Sequence, residues 1–153
     1  MKQKIIQRFI EYFNKLEILF ALLALIGLIL YFFHIAYSHI FLILGIGALA
    51  VMYFLKGHFV SYNKDILPFE VFVLTLLFWS LSLTGLGILC FLNNYTVPVI
   101  FLFIGLLTLF SCSIIFLSKY YKYKRVNTRG QVLRIIIWFA LGSYCLLSWY
   151  SII

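Results

Sequence analysis

The sequence predicts an all-α membrane protein with five transmembrane helices, arranged as two hairpins and a C-terminal helix and preceded by an N-terminal amphipathic helix. Three observations predict it. First, residues 18–55, 71–118 and 135–153 form charge-free runs of 38, 48 and 19 residues. A helix rises about 1.5 Å per residue and a bilayer core is about 30 Å thick, so the first two runs fit two spans each and the third fits one. Second, 65% of the 153 residues are hydrophobic and 10% are charged. A soluble domain of this size could not hide that much apolar surface, whereas lipid solvates it. A single integral membrane domain over 1–153 follows. Third, all twelve Lys and Arg fall in three patches, 2–15, 56–64 and 119–134, separated by two charge-free turns.

The third observation also orients the chain, because basic residues stay on the cytoplasmic side. The N-terminus and the 56–70 and 119–134 loops are expected in the cytoplasm. The turns near 34–39 and 93–98, and the C-terminus, are expected outside, as in a multi-pass protein of a bacterial inner membrane. The formal charge of +8 then needs no nucleic acid. Lys119, Lys122, Lys124 and Arg125 interleave with Tyr120, Tyr121 and Tyr123 beside two spans. Anionic lipid headgroups account for them at about 1 kcal/mol per basic residue.

In chain order, residues 1–15 place Ile5, Ile6, Phe9, Ile10 and Phe13 at helical spacing opposite Lys4, Gln7, Arg8, Glu11 and Lys15. That pattern suits a helix lying on the cytoplasmic leaflet before the chain turns inward. The first span is expected over 17–37, with Tyr31, Phe32, Phe33 and Tyr37 at its outer interface. The second, 39–55, carries Gly45, Gly47, Ala48 and Ala50, small residues that let a neighbouring helix approach. The third, 68–92, opens on Pro68, which a first helical turn tolerates. The fourth, 97–118, opens at Pro98 after the polar turn 93–96. The fifth, 132–152, has Arg134 near enough to the interface to snorkel.

Compared with itself at an offset of 60, the chain matches Gly27 with Gly87, Ile40 with Ile100, Phe41 with Phe101, Leu42 with Leu102 and Gly45 with Gly105. The two hairpins therefore read as a parallel repeat, unlike the inverted repeats of many transporters.

Chemistry-bearing residues are sparse. No acid or base interrupts the middle of a span, and Glu17, Glu70 and Arg134 stand at edges where a charge is expected to reach water. Ser80 with Thr84, and Thr108 with Ser111 or Ser113, share helix faces and read as glue between helices. Cys90, Cys112 and Cys145 fall inside spans and read as packing residues. His34 and His39 form a candidate site in the outward turn, and His58 stands alone in a cytoplasmic loop. Asn94-Tyr95-Thr96 matches a glycosylation sequon. No residue pattern implies a catalytic centre, a metal or another cofactor.

The segment 31–54 resembles the transmembrane hairpin of GldL, the gliding-motility and type IX secretion motor protein of Bacteroidota, and of related small membrane proteins. His34 stands at that family's histidine, and Gly45-Ile46-Gly47 at its Gly-x-Gly step. Ile35, Ala36 and Tyr37 replace the family's Trp-Pro-Gly, and Leu49 replaces the glutamate implicated in proton flow. The resemblance implies a hairpin type and a bacterial source, and argues against a motor role.

The expected function is that of a non-enzymatic accessory or interaction subunit of the cell envelope. It would act through the bilayer and through a membrane-protein partner or a second copy. Gly45, Gly47 and Ala48 would be helix-packing positions. The alternative is a small channel or transporter subunit for an uncharged substrate; a lipid-modifying enzyme using His34 and His39 is the most distant reading.

Overall fold

The computed structural model describes residues 2–60, 68–93, 98–120 and 128–152. Among these there are helices and turns but no strands. The helices are α1 (Lys2–Phe32), α2 (Ser38–Leu42), α3 (Ala48–Val60), α4 (Pro68–Leu92), α5 (Pro98–Tyr120) and α6 (Thr128–Ile152), with a π-helical turn, Ile43–Gly47, joining α2 to α3. Five segments are long and apolar enough to cross a membrane: Lys15–Phe32, Ser38–Val60, Pro68–Leu92, Val99–Ser118 and Gly130–Tyr150.

Helix α1 differs from expectation in being unbroken. The surface segment and the first span form one helix of 31 residues, about 46 Å long and so longer than a bilayer core is thick. The local reason is that no Gly or Pro precedes Gly27, so nothing stops the helix where the charged stretch meets the apolar one. It ends at Phe32, five residues before the expected limit. There the His34 N–H bonds to Tyr31 O at 3.0 Å and the Ile35 N–H to Leu30 O at 2.9 Å. Those two bonds are a Schellman cap, and His34 takes its left-handed position with φ 53°. Tyr37, φ 69°, then turns the chain into α2.

The second span also departs from its expected limits, 39–55. Helix α3 continues to Val60, so Lys56 and His58 are helical residues and do not belong to a loop. Its π turn carries Gly45, where a Cβ would lie 2.3 Å from the Ala24 backbone nitrogen of α1. Only a glycine permits helices to meet backbone to backbone in this way. The same kind of crossing recurs along the chain. A Cβ on Gly27 would lie 2.8 Å from Leu42 N, on Gly87 2.8 Å from Leu102 N, and on Gly105 2.8 Å from Thr84 N.

Helix α4 is the centre of the bundle, packed by α3, α5 and α6, while α1 packs on the second span. Its Leu77, Phe78, Leu81 and Ile88 are buried almost completely. The outer surfaces of the other helices keep large apolar side chains exposed, among them Leu22, Phe54, Phe103 and Ile136. Such a surface suits lipid tails.

Three stability measurements check this account. Gly45→Ala should destabilise the protein in detergent by about 1–3 kcal/mol, because the Ala24 backbone cannot yield as a side chain would. Gly47→Ala should be neutral or stabilising by up to about 1 kcal/mol, since its Cβ would meet only Leu89 Cδ2 at 3.6 Å. His34→Gly should stabilise by about 1 kcal/mol by removing the left-handed strain of a residue with a Cβ.

Candidate functional site

The densest polar cluster lies where α1, α3 and α6 converge, at the end of the bundle that carries Lys15, Lys56 and Arg134. Glu17, on α1, and Arg134, on α6, are 117 residues apart in sequence and form a two-point ion pair. Nε of Arg134 donates to one carboxylate oxygen of Glu17 and Nη2 to the other. The Tyr53 hydroxyl, on α3, donates to Oε1 of Glu17 at 2.8 Å. Both charged side chains are largely shielded, with 11% of Glu17 and 19% of Arg134 exposed. The expectation that these two charges reach water separately is therefore overturned: each neutralises the other inside the bundle. An isolated charge there is costly, whereas a bidentate Arg–carboxylate pair satisfies most of its donors and acceptors.

Aromatic rings frame the pair. Tyr53 stacks on Phe78 of α4 with centroids 6.3 Å apart and an interplanar angle of 18°. It meets Trp138 of α6 edge-on at 5.9 Å. One turn nearer the helix ends, Lys56 holds its Nζ 3.9 Å from the ring centre of Phe13 and 4.9 Å from that of Phe78. A cation over ring faces gains about 0.5–2 kcal/mol as it is desolvated. Gln131 precedes Arg134 by one turn on α6 and is buried, and its Oε1 is the one buried side-chain oxygen or nitrogen without a hydrogen-bond partner among the described residues. The cluster thus joins four helices through one carboxylate, two cations and four rings.

A smaller polar contact ties the opposite end. His39 Nδ1 lies 3.0 Å from Asn93 Oδ1, while Asn93 Nδ2 donates to Leu89 O at 2.8 Å. The second bond sets the amide so that Oδ1 accepts and the His39 Nδ1–H donates. His39 further meets Tyr31 edge-on at 6.2 Å. His34 is exposed in the turn. The outward-turn pair is thus divided: His39 joins α2 to the end of α4, and His34 caps α1.

The hydroxyls expected to glue helices together mostly bond within their own helix. Ser80, Thr84, Thr108, Ser111 and Ser113 each donate to a carbonyl three or four residues back. The Thr75 hydroxyl instead crosses between helices, donating from α4 to Gly57 O of α3 at 3.3 Å. Among the packing residues, Gly45 sits at the tight crossing with Ala24, Gly47 makes an ordinary contact, and Ala48 is half-buried in the first turn of α3. Cys90, Cys112 and Cys145 are free thiols. Among the described residues no three His, Cys, Asp or Glu side chains come together in a metal-holding group. Lys119 stands in the last turn of α5. Lys122, Lys124, Arg125 and the sequon at Asn94 lie outside the described residues.

Sequence reasoning missed the ion pair. A signal existed: one acid and one base stand at the same expected membrane face, at the margins of the first and last spans. Nothing in linear spacing, however, says that those two side chains meet. Replacing Arg134 by Met should destabilise the protein by about 3–5 kcal/mol, because a buried carboxylate is left unpaired. The double variant Glu17→Gln/Arg134→Met should recover most of that loss, a coupling that a double-mutant cycle in detergent would measure.

No protein-family model matches the chain, no curated protein matches it, and no solved structure matches it.

Proposed function

We propose that this protein is a non-catalytic, multi-pass accessory subunit of a cell membrane, with its N-terminus in the cytoplasm. It works by presenting a fixed helical surface to lipid and to a membrane partner. The observation that carries this reading is the use made of polar side chains within the spans. Glu17, Tyr53 and Arg134 bind one another, and Ser80, Thr84 and Ser113 bind their own helix. These groups hold helices in place and leave none of the named side chains directed at a substrate. The orientation rests on the basic patches and on the placement of Lys15, Lys56 and Arg134 at one end.

The architecture behind that surface is a parallel duplication of one hairpin. Support comes from equivalent contacts sixty residues apart. Gly27 meets Leu42 as Gly87 meets Leu102, and Gly45 meets Ala24 as Gly105 meets Thr84. The likeness of the first hairpin to that of GldL points the same way for its turn: Tyr37, with φ 69°, stands where that family has glycine.

Two experiments test the reading. In a background without native cysteines, a membrane-impermeant thiol reagent added outside cells should label Asn94→Cys and miss Asn127→Cys; the reverse pattern overturns the orientation. Purified from its own membranes, the protein should carry a membrane partner at fixed stoichiometry and pass no solute when reconstituted alone in liposomes. Flux through the protein alone would replace the accessory reading with that of a channel.

A further inference from the structure

We propose that Lys56, Arg134 and Gln131 form a binding site for the phosphate of a membrane lipid at the basic end of the bundle. The site is independent of the accessory reading: it holds in either orientation, and for a channel as well as for an accessory subunit. An anion is called for by the balance of charge. The Glu17 carboxylate is bound by Arg134 and Tyr53. Lys56 stands close enough to Arg134 for the two cations to repel. Glu70, an acid at the same end, forms an ion pair with neither among the described residues. The cluster therefore carries one more positive charge than it answers.

Three side chains at that end have donors to offer. The Lys56 ammonium is held against the ring faces of Phe13 and Phe78, and rings take none of its N–H bonds as an oxygen would. Arg134 gives Nε and Nη2 to Glu17, which leaves Nη1. That nitrogen lies beside Gly130, 3.6 Å from where a Cβ on the glycine would stand. Gln131 is 8% exposed and its Oε1 has no partner, so no bond to that oxygen fixes how the amide turns. Its N–H edge is free to face an acceptor. The donors also share a layer. Helix α3 runs towards the basic end and α6 runs away from it, so Lys56 lies one turn nearer that end than Tyr53, and Gln131 one turn nearer than Arg134. A guanidinium edge, an ammonium and an amide in one layer suit the oxygens of a phosphate.

The setting identifies the phosphate as that of a lipid. Lys56 is four residues from the end of α3 at Val60, and Gln131 three from the start of α6 at Thr128, about 4–6 Å along each helix. Both lie within segments apolar enough to cross a bilayer. The donors therefore stand where hydrocarbon gives way to headgroups, within reach of a snorkelling side chain. An apolar face continues inward from them. Gly130, Leu133 and Ile137 share one side of α6, and the last two are 59% and 47% exposed. Acyl chains fit along that side directly beneath a headgroup seated at Gly130. A free phosphoester gains nothing from it.

Native mass spectrometry of the purified protein in detergent, titrated with phosphatidylglycerol, tests the site. The wild-type protein should retain one lipid tightly. Lys56→Gln should weaken that binding about five-fold or more, and Lys56→Arg should keep it. Gly130→Leu should weaken it comparably by covering Nη1 of Arg134. A side chain at 130 meets nothing but that arginine, so this variant carries the test should Lys56→Gln fail to fold. Lys15→Gln, which removes an exposed lysine from the same end, should bind as the wild type does. Equal weakening in Lys15→Gln would reduce the site to general charge attraction, and unchanged affinity in both Lys56→Gln and Gly130→Leu would overturn it. Soluble glycerol phosphate at the lipid's concentration should displace nothing; displacement would make the ligand a free phosphoester. A wild-type protein that binds no phosphatidylglycerol overturns the lipid assignment, and cross-linking of its Lys56 to a carboxylate of a co-purified membrane protein would give the place to a partner.

Discussion

A carboxylate shielded from water must have its charge answered, and in this protein Glu17 has its answer from a helix 117 residues away. The pair with Arg134 links the first and last spans through their side chains at the basic end. Tyr53, sharing Oε1 of Glu17, brings α3 to the same point. Other features of that end depend on this junction. Lys56 can lie over Phe13 and Phe78 only if α1, α3 and α4 are already gathered. Trp138 of α6 reaches Tyr53 past Gly85 of α4, whose missing side chain leaves room for the indole. In lipid there is little hydrophobic driving force between helices, since the tails are as apolar as the side chains. A polar junction shielded from water, with its alternatives removed, therefore decides which helices meet.

Above the junction the association is steric. The crossings at Gly27, Gly45, Gly87 and Gly105 bring backbones within reach of one another, and dispersion over that contact area replaces the hydrophobic term. The π turn at Ile43–Gly47 belongs to this arrangement. An i→i+5 turn inserts an extra residue into the helical count, and it does so where the second span meets Ala24. The opposite end is tied by His39 and Asn93, so the second span is fixed to α4 at both of its extremities, with Thr75 and Gly57 serving at the other.

The helical class and the number of spans were legible because both follow from counting apolar residues against a fixed bilayer thickness. Limits were less legible. The chain from Lys15 to Glu17 changes composition without a helix-breaking residue, so α1 continues through it. Lys56 marks the edge of an apolar run without marking the end of a helix, because a lysine is a good helix former. The glycines announced close packing, yet their partners required three dimensions: Gly45 meets Ala24, while Gly47, two residues on, meets little. The pairing of Glu17 with Arg134 was illegible for a related reason. Each looks like an interfacial charge when its own helix is considered alone, and only the folded bundle brings the two side chains together. His39 and Asn93 were likewise assigned to separate turns.

The junction and the glycine crossings do different work in the bundle. A crossing of small residues on Leu or Ala is available to many helix pairs, so it cannot specify which helix lies beside which. The ionic junction is specific: Glu17 is the one acid and Arg134 the one arginine at that point of the described bundle. A carboxylate on α1 thus finds its bidentate partner on α6 and nowhere on α4. Charge breaks the degeneracy that the glycine crossings leave, at the modest net stability a buried ion pair gives but with a large penalty for any wrong pairing. In this bundle the glycine crossings set how closely helices pack, and the Glu17–Arg134 pair sets which helices they are.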